Sequence, residues 1–299
     1  MRRPFVTVKG PLLCAAALVC LCAVCFVCAE DQSPAEMVAR GRLLLDGGDG
    51  DKNPQEAVKL FRQAAEQGDA EGQLELGVCL QKGIGCEKNP KEALKWYRRA
   101  AEQGNASAQN ELGCSLMHGL DGEKKNPEEA VQWFRKAAEQ GDAEGQFFLA
   151  DFLLEGIGCD KNPEEAVKWY RKAAEQDRPK AQFMLGCCLV EGIGCDEDPE
   201  EGLTWFRQAA EKDYEDAQFL LGYNLLHGID CDKNPKEAVK WLRRAAKRGQ
   251  ADAQFFLGVC LIKGVGCREN PKEALNWIQK AADQGQEDAQ AILRDLEKH

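Results

Sequence analysis

GIGCDKNPEEAVKWYRKAAEQ, running from Gly156 to Gln176, decides the fold. It opens on a Gly-x-Gly-Cys turn and closes on an amphipathic helix. Asn162, Pro163 and Glu165 stand where a helix takes an N-cap, a first-position proline and an N3 acid. Val167, Trp169, Tyr170, Ala173 and Ala174 follow at helical spacing. Close copies of the turn begin at Gly83, Gly192 and Gly264.

The copies are periodic. Pro54, Pro90, Pro127, Pro163, Pro199, Pro235 and Pro271 are separated by 36 residues, with one gap of 37. Trp96, Trp133, Trp169, Trp205, Trp241 and Trp277 keep the same step, and Leu60 takes that place in the first unit. The extra residue lies in MHGLDGEKKNP, after Gly119. Each unit reads as two helices. The second starts at Asn-Pro, or Asp198-Pro199 once, and stops at a residue such as Gly104. The first starts at caps such as Asp69 and Asp142 and carries Leu76, Gly77 and Leu80, repeated as Leu185, Gly186, Leu189 and as Leu257, Gly258, Leu261. A single pair of ~20 Å helices encloses no core, whereas a stack does. Ser33-Pro34-Ala35-Glu36 is expected to open a capping helix near 34–46, with Arg40 where later units have Leu. A closing helix is expected near 288–298.

At these positions the chain resembles the Sel1-like repeat family, a branch of the tetratricopeptide-like α-solenoids. AQFFLGVCLIKGVGCRENPKEALNWIQKAADQG, from Ala253 to Gly285, is similar to that unit almost throughout, and the resemblance covers about residues 34–296. It implies an all-α, right-handed superhelical solenoid of about seven 36-residue helix-turn-helix units. It also implies a non-enzymatic scaffold or adaptor that binds a protein or peptide. Some cysteine-rich exported members are described as penicillin-binding or β-lactamase-like, which is the alternative the resemblance offers. A structural envelope component is another.

Residues 1–29 begin with Arg2, Arg3 and Lys9 and continue with an uncharged apolar run from Pro11 to Ala29. A cleaved secretory signal and a retained signal anchor both fit this pattern. Either places the single domain 30–299 outside the cytoplasm, secreted, periplasmic or lumenal. A membrane partner follows only if the segment stays as an anchor. Beyond it the chain carries 36 basic and 50 acidic side chains. That balance argues against nucleic acid, whose phosphates need Lys and Arg.

The turn is not a phosphate loop, since a helix precedes it and no Gly-Lys-Ser/Thr follows. Its second glycine becomes Asp49, Asp121 and Asp230 elsewhere, so a left-handed backbone is expected there. The cysteine after it recurs as Cys86, Cys159, Cys195, Cys231 and Cys267 with no histidine in the turn. It reads as a small buried hydrophobe, standing where related repeats usually have Val. Equivalent cysteines in neighbouring units stand about 8–10 Å apart, beyond the roughly 7 Å reach of a disulfide. Cys79 with Cys86, Cys188 with Cys195 and Cys260 with Cys267 could each clip a first helix to its turn; free thiols are the other reading. The family's cysteine-rich members instead bridge successive units, at places where this chain has Ala and Gln. Cys114 and His118 give two ligands where structural zinc needs four. Asp49-Gly50-Asp51 begins like a calcium loop, but Pro54 and Leu60 replace its glycine and glutamate. No catalytic, metal or cofactor site is read from these residues.

One apolar stripe remains on the first helices: Phe147 and Leu154; Phe183, Cys187 and Val190; Phe219, Tyr223 and Leu226; Phe255, Val259 and Ile262. Its i, i+4, i+7 spacing is expected either to line a partner groove or to pack between adjacent first helices. Phe148, Met184, Leu220 and Phe256 beside it favour packing.

Overall fold

A computed structural model describes residues 32–47, 52–119 and 124–296. The segment 1–29, Asp49, Asp51, Asp121 and His299 lie outside the described residues. Among those described, the chain holds fifteen helices and no strand. It divides into two compact units, residues 1–88 and 89–299.

The first unit contains α1 (Pro34–Asp46), α2 (Pro54–Glu66) and α3 (Ala70–Lys82). The expected cap on α1 is a reciprocal capping box: Ser33 N donates to Glu36 Oε2 at 2.9 Å, and Glu36 N donates to Ser33 Oγ at 3.3 Å. Arg42 ties α1 to α3 through Glu71 and Glu75, at 2.6 Å each. Arg40 is exposed, as expected for an end.

The second unit alternates second helices with first helices. The second helices are α4 (Pro90–Glu102), α6 (Pro127–Glu139), α8 (Pro163–Glu175), α10 (Pro199–Glu211), α12 (Pro235–Arg248) and α14 (Pro271–Asp283). The first helices are α5 (Ala106–His118), α7 (Ala143–Glu155), α9 (Pro179–Glu191), α11 (Glu215–His227) and α13 (Ala251–Lys263). The closing helix α15 is Glu287–Leu296. The alanine pairs and Leu112, Leu149, Leu185, Leu221 and Leu257 form the buried seam. An added Cβ on Gly186 would stand 2.7 Å from the Phe206 ring. The small residue therefore makes room for the aromatic of the partner helix, and the Leu-Gly face meets the second helix as expected.

Asn162 Oδ1 accepts from Glu165 N at 3.1 Å, and its counterparts do the same on each second helix. The N3 glutamate does not complete the capping box that its spacing from the N-cap suits. The Asn162 N–H is already spent on Leu153 O at 2.7 Å. Glu165 is left free to accept from Asn162 Nδ2 at 3.2 Å, Trp169 Nε1 at 3.1 Å and Arg135 Nη1 at 2.7 Å. Arg98–Glu129, Arg171–Glu201, Arg207–Glu237 and Arg243–Glu273 repeat the link. The guanidinium holds each of these carboxyls below the usual range. A ladder thus joins each second helix to the next.

The turns confirm the left-handed reading. Gly156 and Gly158 have φ of 72° and 68°, and Asp230 adopts 56°. The second glycine also meets the preceding unit, which sequence did not reveal: a Cβ on Gly158 would stand 2.4 Å from Pro127 C and O. The longer 119–126 connection still returns Asn126 N to Leu116 O at 2.9 Å.

Candidate partner-binding face

The first helices of the second unit present positions 2, 6, 9 and 13 outward. These positions follow i, i+4, i+7, i+11 spacing and share one side of a helix. On α11 they are Asp216, Leu220, Tyr223 and His227; on α13, Asp252, Phe256, Val259 and Lys263. Position 5 of the expected stripe is half-buried on α9, α11 and α13, as position 6 is, and position 9 is common to both, so the stripe runs along one edge of this face.

Exposure sorts the candidates. Phe147 is 1% exposed and Leu226 8%, so neither lines a groove. Phe147 is closed in by Tyr170, at a ring separation of 5.9 Å, and by the cations of Arg178 and Lys180, at 5.3 and 4.7 Å. Leu226 turns toward the core around Trp241 and Leu257. Leu154, Phe183, Val190, Phe219, Tyr223, Phe255 and Val259 are half-buried, and Ile262 is 44% exposed. Much of the stripe packs between neighbours while keeping one edge open. Phe183 rests on Phe206 and Tyr214, at 5.6 and 5.2 Å. Phe256 bridges back to α11, with ring centroids 6.0 Å from Phe219, 5.1 Å from Tyr223 and 6.1 Å from His227.

Two first helices give up their caps beside this face. At the N-cap of α9 stands Arg178, and at that of α11 Tyr214; neither side chain caps its helix. Losing such a cap costs about 1 kcal/mol. Arg178 instead reaches Glu144 at 2.8 Å. Tyr214 covers Phe183, and burial with the nearby carboxylates of Asp216 and Glu215 pushes its phenol up to about 12. Desolvation, with Glu215 and Asp252 nearby, raises the Asp216 carboxyl. Burial likewise raises Asp151, although it accepts from Tyr170 at 2.5 Å.

A buried amide ladder, missed from sequence, supports the face from beneath. Gln146 Nε2 donates to Ala138 O at 3.3 Å, and its Oε1 accepts from Gln176 at 2.8 Å. Gln109 and Gln254 are paired alike, with Gln140 and Gln284. Lys212 and Arg248 stand where Gln182 and Gln218 would need the donating glutamine. Lys212 pairs with Asp177 and Arg248 with Asp213 instead. Gln182 Oε1 and Gln218 Oε1 are consequently left without a partner, in side chains at 0% exposure. Glutamine at the fourth position of every first helix was the available signal.

All ten cysteines among the described residues are free thiols. Cys195 and Cys267 donate to the carbonyls of Cys188 and Cys260, each at 3.7 Å, so the geometry holds these pairs as hydrogen-bonded thiols rather than bridges. Burial pushes Cys79, Cys187 and Cys188 up to about 12 and Cys114 and Cys260 to about 11. Neutral thiols are poor nucleophiles. Alkylation of the unfolded, unreduced protein should label all ten of these; mass spectrometry finding any of the three pairs unlabelled would restore the bridge. His118 turns its Nδ1 to Cys114 O at 2.8 Å, away from a shared ligand role. Among the described residues, no three His, Cys, Asp or Glu side chains converge as a metal site, and no helix is long and apolar enough to cross a membrane.

The Sel1 repeat pattern matches residues 37–69, 70–105, 106–142, 143–177, 179–214, 215–250 and 251–286. The structure is similar to that of c5321, a protective antigen present in uropathogenic Escherichia coli strains that displays an SLR fold. Identity is 33% over 88% of this chain, with a TM-score of 0.76. This chain spans only 56% of that longer one. It is also similar to a Sel1 repeat protein from Oxalobacter formigenes, with 32% identity, 90% of this chain and 78% of that chain covered, and a TM-score of 0.76. No curated protein matches.

Proposed function

Because the chain belongs to the Sel1 repeat family, whose members generally mediate protein–protein interaction, we propose that it is an extracytoplasmic scaffold that holds a protein or peptide on its first helices. The observation that carries this reading is the open aromatic edge of α9, α11 and α13. Phe183, Phe219, Tyr223 and Phe256 stay half-buried there although a solenoid core could have enclosed them. Such a patch supports a contact surface. The charged start and apolar run of residues 1–29 support export.

Affinity capture from the native extracytoplasmic fraction tests it, comparing the wild type with Tyr223→Ala combined with Ile262→Asp. A protein retained by the wild type should be lost with the variant at unchanged circular dichroism. Equal retention by both would remove the face from the reading. Capture confined to cytoplasmic extracts would remove the location.

A further inference from the structure

We propose that the cavity between α10, α11 and the turn after α11 binds a small aliphatic primary amine, its ammonium on Asp230 and its tail on leucine. The proposal stands apart from the scaffold reading and does not use the first-helix face.

The turn itself makes the room. A Cβ on Gly85, Gly158, Gly194 or Gly266 would stand 2.1 to 2.4 Å from the carbonyl oxygen of the proline that starts the preceding second helix. Those turns settle onto the helix because glycine has no side chain. Asp230 takes the same place in the turn after α11. Its Cβ cannot come that close to Pro199, and a cavity of about 270 Å³ lies beside this end of α10.

The lining divides by chemistry. Leu203, Leu221 and Leu225 give it an apolar side, and Glu200, Thr204 and Asp230 a polar one. The cation among the lining residues is Arg207, which Glu237 of α12 engages at 2.6 Å. Asp230 is fixed in position. Ile229 N donates to Asn224 O at 3.1 Å and Asn234 N to Leu225 O at 2.8 Å, so the turn is clamped on both sides. The φ of 56° at Asp230 is costly for a residue with a side chain. The other described residues with side chains that accept such a φ are Asp177 and Asp213. Each of those holds a cation from the following unit, Lys212 and Arg248 respectively. Among the described residues, Asp230 has no such cation. A strained aspartate kept where glycine serves elsewhere, and set at the rim of a cavity, points to a use for its carboxylate.

An ammonium supplies the missing charge, and a short branched tail suits the leucines. Pockets for drug-sized ligands run to roughly 300–1,000 Å³. The smaller volume here limits the occupant to a few carbon atoms.

The test titrates isopentylamine into the full-length protein, read by saturation-transfer NMR on the ligand methyl groups. Isopentanol, the same shape without the charge, should bind at least roughly ten-fold more weakly. Asp230→Asn keeps a side chain that tolerates the left-handed turn and removes the charge, so it should cost the amine about ten-fold as well. Asp230→Gly lets the turn close and should abolish methyl saturation by either compound. Equal binding of amine and alcohol would overturn the role of the charge. Undiminished amine binding to Asp230→Gly would mean diffuse attraction to an acidic protein, and the site would be lost. A lysine side chain carries the same head group, so Nα-acetyl-lysine amide is titrated in parallel. Tighter binding by that compound would assign the ammonium to a protein partner and overturn the free amine.

Discussion

Gly194→Val is expected to lower folding stability by roughly 2–5 kcal/mol. Two costs combine. Gly194 has φ of 70°, a backbone that a β-branched residue enters at a cost of about 1–2 kcal/mol. A Cβ there would also stand 2.3 Å from the carbonyl oxygen of Pro163, where α8 begins, and that backbone cannot give way without moving the ladder around Glu165. Forced overpacking of this kind adds about 1–3 kcal/mol. Nature has run the milder experiment at Asp230, whose side chain sits beside a cavity lined by Glu200, Leu203, Thr204 and Arg207. Asp230→Gly should therefore stabilise, by about 1 kcal/mol. Urea titration of both variants decides the matter. A Gly194→Val midpoint within error of the wild type would show that the turn is looser than its close approach implies.

Gln146→Leu is expected to cost about 2–3 kcal/mol, while Gln182→Leu should cost no more than about 1 kcal/mol. Both residues are buried and both release an alanine carbonyl of the preceding second helix. The difference lies at the other end of the amide. Gln146 Oε1 receives Gln176, whereas Gln182 Oε1 has no donor although its Nε2 also reaches Gln208 at 3.3 Å, so leucine removes an existing penalty at 182 and a made hydrogen bond at 146. Leucine keeps the volume and helix propensity close to glutamine's, which isolates the polar effect. Lys212→Gln should raise stability by supplying the missing donor, against the loss of a surface ion pair worth about 0–1 kcal/mol. Equal losses at 146 and 182 in thermal denaturation would contradict this account of the amide ladder.

The repeat was plain in the chain because proline and tryptophan recur with the architecture they serve. The left-handed turn was plain too, since Asp230 replaces glycine where only a few residue types fit. Glu165 was harder. Its spacing from Asn162 suits a capping box, and only the return of the Asn162 N–H to Leu153 O shows that the box is closed to it. The apolar stripe was legible except at Phe147 and Leu226, which are buried. Periodicity places Phe147, Phe183, Phe219 and Phe255 in register, but the next unit decides which stay open. Arg178 and Lys180 cover the first of them, and no feature of α7 itself announces that.

Each arginine of the ladder serves a glutamate 30 or 31 residues ahead, and each glutamate serves one arginine behind. Every joint has the same male and female halves. A tandem duplication or loss of one 36-residue cassette would leave all the remaining joints made. Length is then the property most free to drift between relatives, and the number of sites strung along such a protein can change in a single genetic event, with no helix having to be redesigned.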